Sequence, residues 1–297
     1  RFRKIAASLL NEEFKLNLLN CYRPIKNTNR RKIDRMMKKR YFAIPILAIA
    51  LHFLLSNLLY FLVERLVLDV FHIPPQQFMK HSYWGEILIY AVLILVFFTL
   101  YKLLWRKEIS EPRTATNYKD VLGSLVVGFG ICGISGLWIM LAEQLPSLQK
   151  SVEAMNAGAE NIAGGNAFGT FMIAVIAAPV VEEILFRGIV LRSMRKFTPA
   201  WAAILISSVL FGVYHLNIVQ AAYATLMGIA AGILYEKKRN LLFPILVHFA
   251  NNLITMLQGF APSEVNELIS IFILIMIAPA GYIVCRSLRQ DKRADSM

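Results

Sequence analysis

Charge is scarce in this chain. Only 17% of its 297 residues are Asp, Glu, Lys or Arg, while 57% are hydrophobic and the mean hydropathy is +0.54. A soluble globular domain is nearer about 45–50% apolar, so that class is excluded. Acidic residues are scarcer than basic ones, and the net charge is +13. The Lys and Arg residues lie between apolar runs rather than on a folded polar surface, which excludes nucleic acid as a partner. Cysteine is nearly absent. Cys21, Cys132 and Cys285 are scattered and odd in number, so neither a disulfide framework nor a cysteine metal site is implied. No His-Glu-x-x-His sequence occurs, and no inverted repeat supports a transporter.

Long apolar runs dominate what is present. A membrane-spanning helix needs about 20 mostly apolar residues. Eight candidates meet or approach that length, at roughly 42–68, 84–105, 120–142, 168–191, 200–216, 218–236, 241–258 and 265–286. The fifth is short and is joined to the sixth by little more than Asn217, so the pair reads as a tight helical hairpin or one broken helix. The expected fold is therefore all-α, a polytopic membrane bundle of about eight helices over residues 41–297. Residues 1–40 form a separate basic segment, read as a cationic tail or an arm on anionic lipid. Met36-Met37-Lys38-Lys39-Arg40 resembles a start of translation, which would make residues 1–35 an upstream extension; the intact mass of the native protein tests this. The following apolar run is too long for a signal peptide and lacks a small-residue cleavage site. The loop at 143–167, with Gly158, Gly164 and Gly165, reads as a flexible external connector or lid.

Charge placement supports the count. Thirteen Lys and Arg precede Tyr41, and basic residues recur at 106–113, 192–196, 237–239 and 286–293. The intervening loops at 69–83, 143–167 and 259–267 are poor in basic residues or acidic. By the positive-inside rule both termini are cytoplasmic, and an odd number of spans would break the alternation.

Three of these hydrophobic stretches carry groups that lipid disfavours, and such groups usually mark function. The fourth holds Glu182, Glu183 and Arg187. Glu183 and Arg187 are four residues apart and share a helix face, the favourable orientation for an ion pair. Glu182 lies about 100° round the helix and stays available. The fifth stretch carries Phe211 and His215 on one face. The seventh carries His248 and Asn252 on one face, with Asn251 pointing elsewhere. Singly, each histidine reads as a core residue and each Asn as a helix–helix hydrogen bond. Jointly, two acids and two histidines can build a hydrolytic centre. Two imidazoles can hold a divalent ion or polarise a water, a Glu can take the water's proton, and Asn252 can donate to an oxyanion. Zn²⁺ usually takes three protein ligands in a catalytic site, so Glu182 or Glu183 would have to join His215 and His248. His52, with no carboxylate near it in sequence, reads as structural; His72 and His81 lie in the first external loop.

Glu-Glu-x-x-x-Arg at 182–187, Phe-x-x-x-His at 211–215 and His-x-x-x-Asn at 248–252 occur in that order on successive hydrophobic segments. Together they resemble the signature of the CAAX protease and bacteriocin-processing (Abi) family of intramembrane glutamate-dependent endopeptidases. Gly228-x-x-x-Gly232 through Asn240 to His248 is also similar. The likeness covers about residues 168–258, with no departure at the motif positions. It implies a helical bundle of eight or so spans with the site opening toward the cytoplasm. Glu182 would be general base, Glu183 and Arg187 supporting groups, and His215, His248 and Asn252 water-, metal- or oxyanion-binding groups. The implied substrate is a hydrophobic or lipidated peptide of CAAX, pheromone or bacteriocin type. Compact size favours a bacterial plasma-membrane relative.

Three functions are consistent with these residues: an intramembrane endopeptidase, a non-enzymatic bacteriocin self-immunity or scaffold protein, and an ion or proton path. In this topology Glu182 and His248 fall in the cytoplasmic half. His215 should lie further out unless its helix starts deeper, tilts or bends.

Overall fold

The computed structural model describes residues 27–72, 75–106, 116–163 and 166–294, with side chains at 41–72, 83–106, 116–158 and 166–288. The side chains of the whole basic segment at 1–40, and that of His81, therefore lie outside the described ones. Among the described residues the chain is helical and contains no strand. Helix α1 runs Asn27–Arg65 and ends in a π turn, Leu66–Val70. Then follow α2 (Pro75–Leu104), α3 (Tyr118–Glu143) and α4 (Gln149–Ala163). Helix α5, over 167–194, alternates α and π geometry: α at Ala167–Thr170, π at Phe171–Ala177, α at Ala178–Glu183, π at Ile184–Leu191 and α at Arg192–Met194. The last four are α6 (Ala200–Tyr214), α7 (Ile218–Lys238), α8 (Leu242–Phe260) and α9 (Ser263–Ala294).

Eight of these helices coincide with the eight apolar stretches, and five are long and apolar enough to cross a membrane by length and composition. The protein is a polytopic helical membrane bundle. Its outer surface fits that setting: Leu47, Leu54, Leu95, Leu103, Leu268 and Ile275 are exposed large apolar side chains that water would disfavour and lipid accepts.

The 143–167 connector is not a flexible loop. Gln149–Ala163 is helical, because its Ala, Glu and Gln residues favour helix and one Gly is tolerated. Its Val152 is buried beside Ala142 and Val219. Ser151 donates to the Asn217 carboxamide oxygen at 2.8 Å, and the Asn217 amide donates back to the Ser151 carbonyl at 2.8 Å. Helix α4 is thereby tied to the turn between α6 and α7. That turn is a hairpin: Leu216 takes a positive φ of 55°, and Asn217 caps α7 by accepting from the Gln220 amide.

Helix α5 is the centre of the bundle. Its residues from Ile184 to Leu191 are all buried and form the core with α1, α2, α6 and α7. Glycines set the closest approaches. A Cβ on Gly128 of α3 would collide with the Val247 carbonyl of α8, and one on Gly228 of α7 would lie 2.8 Å from the Ser208 Cβ of α6. Contacts at one end of the bundle match the charge alternation. Arg195 pairs with Glu236 at 3.1 Å, Lys238 with Asp120 at 2.7 Å, and Arg192 stands over the Trp105 ring. The basic termini of α5 and α7, the start of α3 and the end of α2 thus share one end.

Candidate active site

The diacid sits near the middle of α5, just after Pro179, where an α segment hands over to a π segment. Glu183 is completely buried. Its Oε1 accepts from the Arg187 guanidinium at 2.7 Å and from the His248 Nδ1–H at 3.1 Å. Arg187 spends a second N–H on the Gly228 carbonyl at 3.1 Å and lies over the Phe211 ring, 4.8 Å from its centroid. A guanidinium at membrane depth is expensive unless paired, and here a carboxylate, a carbonyl and an aromatic face surround it. The close α6–α7 packing that requires Gly at 228 also presents this carbonyl.

His248 is nearly as buried and enters from α8. Because its Nδ1 faces a carboxylate, the proton of the neutral ring belongs on Nδ1, which leaves Nε2 as an acceptor. That Nε2 lies 3.9 Å from the Glu182 Oε2, too far for a direct hydrogen bond. Glu182 is the contrasting acid. Its side chain is 12% exposed, its Oε2 is buried without a hydrogen-bond partner, and it joins no ion pair with Arg187.

The remaining motif residues surround this core. Phe211 is fully buried, and its ring meets those of Phe186, His215 and His248 edge-on at 5.0, 5.0 and 5.7 Å between centroids. It fills the space against which Arg187 and both histidines are fixed, which gives the Phe-x-x-x-His spacing its physical meaning. His215 is the residue just beyond α6. Its Nδ1 bonds the Phe211 carbonyl at 2.8 Å, so Nε2 is again left unprotonated in the neutral ring. It hydrogen-bonds neither glutamate. A 15-residue helix rises only about 22 Å, short of the roughly 30 Å of a bilayer core, so α6 alone does not cross one. The Asn252 amide donates to the Ala174 carbonyl at 2.8 Å, and its oxygen accepts from Asn251 at 3.1 Å. One Asn252 N–H therefore remains to donate.

The sequence reading missed Tyr214. Its hydroxyl is 2.8 Å from the His52 Nδ1, and its ring packs edge-on against Phe186 and His215. Only the adjacency of Tyr214 to His215 hinted at this in the sequence.

The donors do not fit a three-ligand zinc ion. Among the described residues no group of three or more His, Cys, Asp or Glu stands close enough to hold a metal. Glu183 is committed to Arg187 and His248, which leaves Glu182 with His248 alone.

A buried carboxylate oxygen without a partner, facing an imidazole oriented by a second carboxylate, is an arrangement able to bind and activate water. The comparisons agree with that chemistry. Residues 164–254 match the family model described as "Type II CAAX prenyl endopeptidase Rce1-like". The chain is also similar to the Bacillus subtilis (strain 168) protein named "Putative membrane peptidase YdiL". The two are 27% identical over 198 residues, covering 64% of this chain and 77% of that one. No solved structure matches. Both likenesses support a membrane protease, and the family model falls on the region that carries the motifs.

Proposed function

We propose that this protein is an intramembrane endopeptidase in which Glu182 activates water against a peptide bond of a hydrophobic or lipidated peptide. The observation that carries the reading is the 3.9 Å gap between Glu182 Oε2 and His248 Nε2, two acceptors that cannot bond each other. One water can donate to both. Two hydrogen bonds of about 2.8 Å diverging at a water's bond angle end roughly 4.4 Å apart, close to the separation found. A water held this way turns its lone pairs outward, toward a carbonyl carbon.

Glu182 then takes the proton as the water oxygen bonds to carbon, and later passes it to the leaving amine. Asn252, with one N–H uncommitted, is assigned the role of donor to the oxyanion. Glu183 takes no part in the proton transfer in this scheme. It holds the proton on His248 Nδ1, and Arg187 balances its charge. The positioning follows the logic by which a carboxylate orients a metal-bound histidine, applied to a water-binding one.

The test is cleavage of candidate lipidated or pheromone-like peptides by wild type, Glu182→Ala and His248→Ala, with and without a chelator. Both variants should insert in the membrane normally and cleave nothing. If both process a substrate at the wild-type rate, the reading is wrong. Protection against a bacteriocin that survives both substitutions would establish the non-enzymatic immunity reading. Loss of wild-type activity to the chelator would overturn the metal-free role given to Glu182.

A further inference from the structure

A second polar site lies beside the diacid, in helices outside the region that matches the family model. Helices α1 and α2, with Tyr214 of α6, flank an open cavity of about 410 Å³ lined by His52, Ser56, Asn57, Glu86 and Tyr90, among others. One of its walls reaches the motif residues, because the Tyr214 ring packs edge-on against His215. Tyr214 additionally packs on Phe186, one turn beyond Glu182.

The lining is rich in acceptors. Glu86 is half-buried and forms no hydrogen bond or ion pair among the described residues. Asn57 commits its amide to the Phe53 carbonyl at 2.7 Å, which leaves its oxygen free. Ser56 commits its hydroxyl proton to the His52 carbonyl at 2.7 Å, which leaves its lone pairs. His52 is buried, and its Nε2 has no partner. No Lys or Arg lines the cavity. A carboxylate within a membrane-spanning helix is costly, and a span that retains one usually has a use for it. The ligand that complements a carboxylate, an amide oxygen and a hydroxyl oxygen is a cation carrying N–H donors.

We infer that this cavity is a substrate subsite for a cationic group, the ammonium or guanidinium of a Lys or Arg in the peptide cleaved at Glu182, held by Glu86. The inference rests on the peptidase reading for the origin of the ligand, and its geometry is independent of it. Glu86 is a specificity residue, remote from the bond that breaks.

The probe is an apolar fluorogenic peptide through which a single Lys, or neutral Nε-acetyl-lysine, is moved one position at a time. It is presented in phosphatidylcholine vesicles, whose quaternary headgroup has no N–H to offer Glu86. At one position wild type should favour Lys over acetyl-lysine by about tenfold in kcat/KM, the size of one charge-assisted hydrogen bond. Glu86→Gln should abolish that preference through KM and leave the acetyl-lysine peptide unchanged. Glu86→Lys should transfer the preference to a peptide with Glu at the same position. Equal rates for Lys and acetyl-lysine at every position would overturn the proposal. So would an equal loss on both peptides in Glu86→Gln with no transfer in Glu86→Lys, since that describes a structural role. Equilibrium binding of the same peptides to Glu182→Gln separates the two readings. Lys-selective binding without wild-type cleavage of any peptide keeps the cation site and removes the peptidase, whereas cleavage without selectivity does the reverse.

Discussion

The two sides of α5 around Glu182 and Glu183 hold the same functional group in opposite conditions. On one side Glu183 is sealed in the core, with Arg187 at 2.7 Å and His248 at 3.1 Å on one oxygen. On the other, Glu182 is 12% exposed, has a buried oxygen with no partner and no ion pair with Arg187, whereas the one unpartnered oxygen of Glu183 belongs to a carboxylate whose other oxygen is bonded twice. The first side is built as structure and the second as chemistry. A buried acid is tolerated for stability when its charge is compensated, and an uncompensated neighbour signals another use.

The sharpest way to break this comparison is to make one substitution at both positions. Glu182→Gln should lower peptide cleavage by about a thousandfold, within the range a general base supplies, and leave the thermal midpoint unchanged or raised. Glu183→Gln should do the opposite in kind, lowering the thermal midpoint because Arg187 and His248 lose their shared acceptor. Peptidase assays and melting curves on the same detergent-solubilised samples check both. If Glu183→Gln melts like wild type and Glu182→Gln melts early, the roles are reversed.

The next largest effect is expected at Arg187. Replacing it with Met should cost about 3–5 kcal/mol, because Glu183 is then left as a buried charge without its cation. Combining Arg187→Met with Glu183→Gln should recover much of that loss, since the buried charge disappears with its partner. Unfolding midpoints of the two single variants and the double variant measure the coupling. Additivity would mean that the 2.7 Å contact carries no energy.

Much of this contrast is legible in the sequence, and the part that is not has a physical reason. Helical spacing alone puts Arg187 on the face of Glu183 and turns Glu182 away, and both features stand although α5 passes into π geometry just after Glu183. Local periodicity governs such pairs. It does not govern which carboxylate His248 chooses, because that depends on how α8 docks against α5, 65 residues apart in sequence. The same limit hides the cavity. His52 has no acid near it along the chain, yet α1 and α2 fold back to set Glu86 in the same cavity wall. The helix at Gln149–Ala163 was obscured for a different reason. Its Gly and Asn residues suggest a loop, and its apolar positions are few until α3 and α7 supply the surface that buries Val152.

Packing around the fixed side gives a smaller effect. Gly228→Ala would put a methyl group 2.8 Å from the Ser208 Cβ, so α6 and α7 must separate. Overpacking of this kind costs about 1–3 kcal/mol. The Gly228 carbonyl that receives Arg187 moves with it, so a fall in activity should accompany the fall in melting temperature. A fall in stability with cleavage unchanged would show that this carbonyl is dispensable to the site.

The smallest expected effect is at His215, which tests how far the reactive side extends. His215 is anchored through Nδ1 to the Phe211 carbonyl, and its ring meets Phe211, which in turn meets His248 and Arg187, the partners of Glu183. Its unprotonated Nε2 can accept one hydrogen bond from substrate or water, worth about tenfold in rate. His215→Gln should therefore slow cleavage by about that factor, well short of the loss at Glu182, and should leave the melting curve unchanged because no buried charge depends on it. A loss as deep as that of Glu182→Gln would place His215 in the reacting set itself, and the boundary drawn at the Phe211 ring would have to move outward to include it.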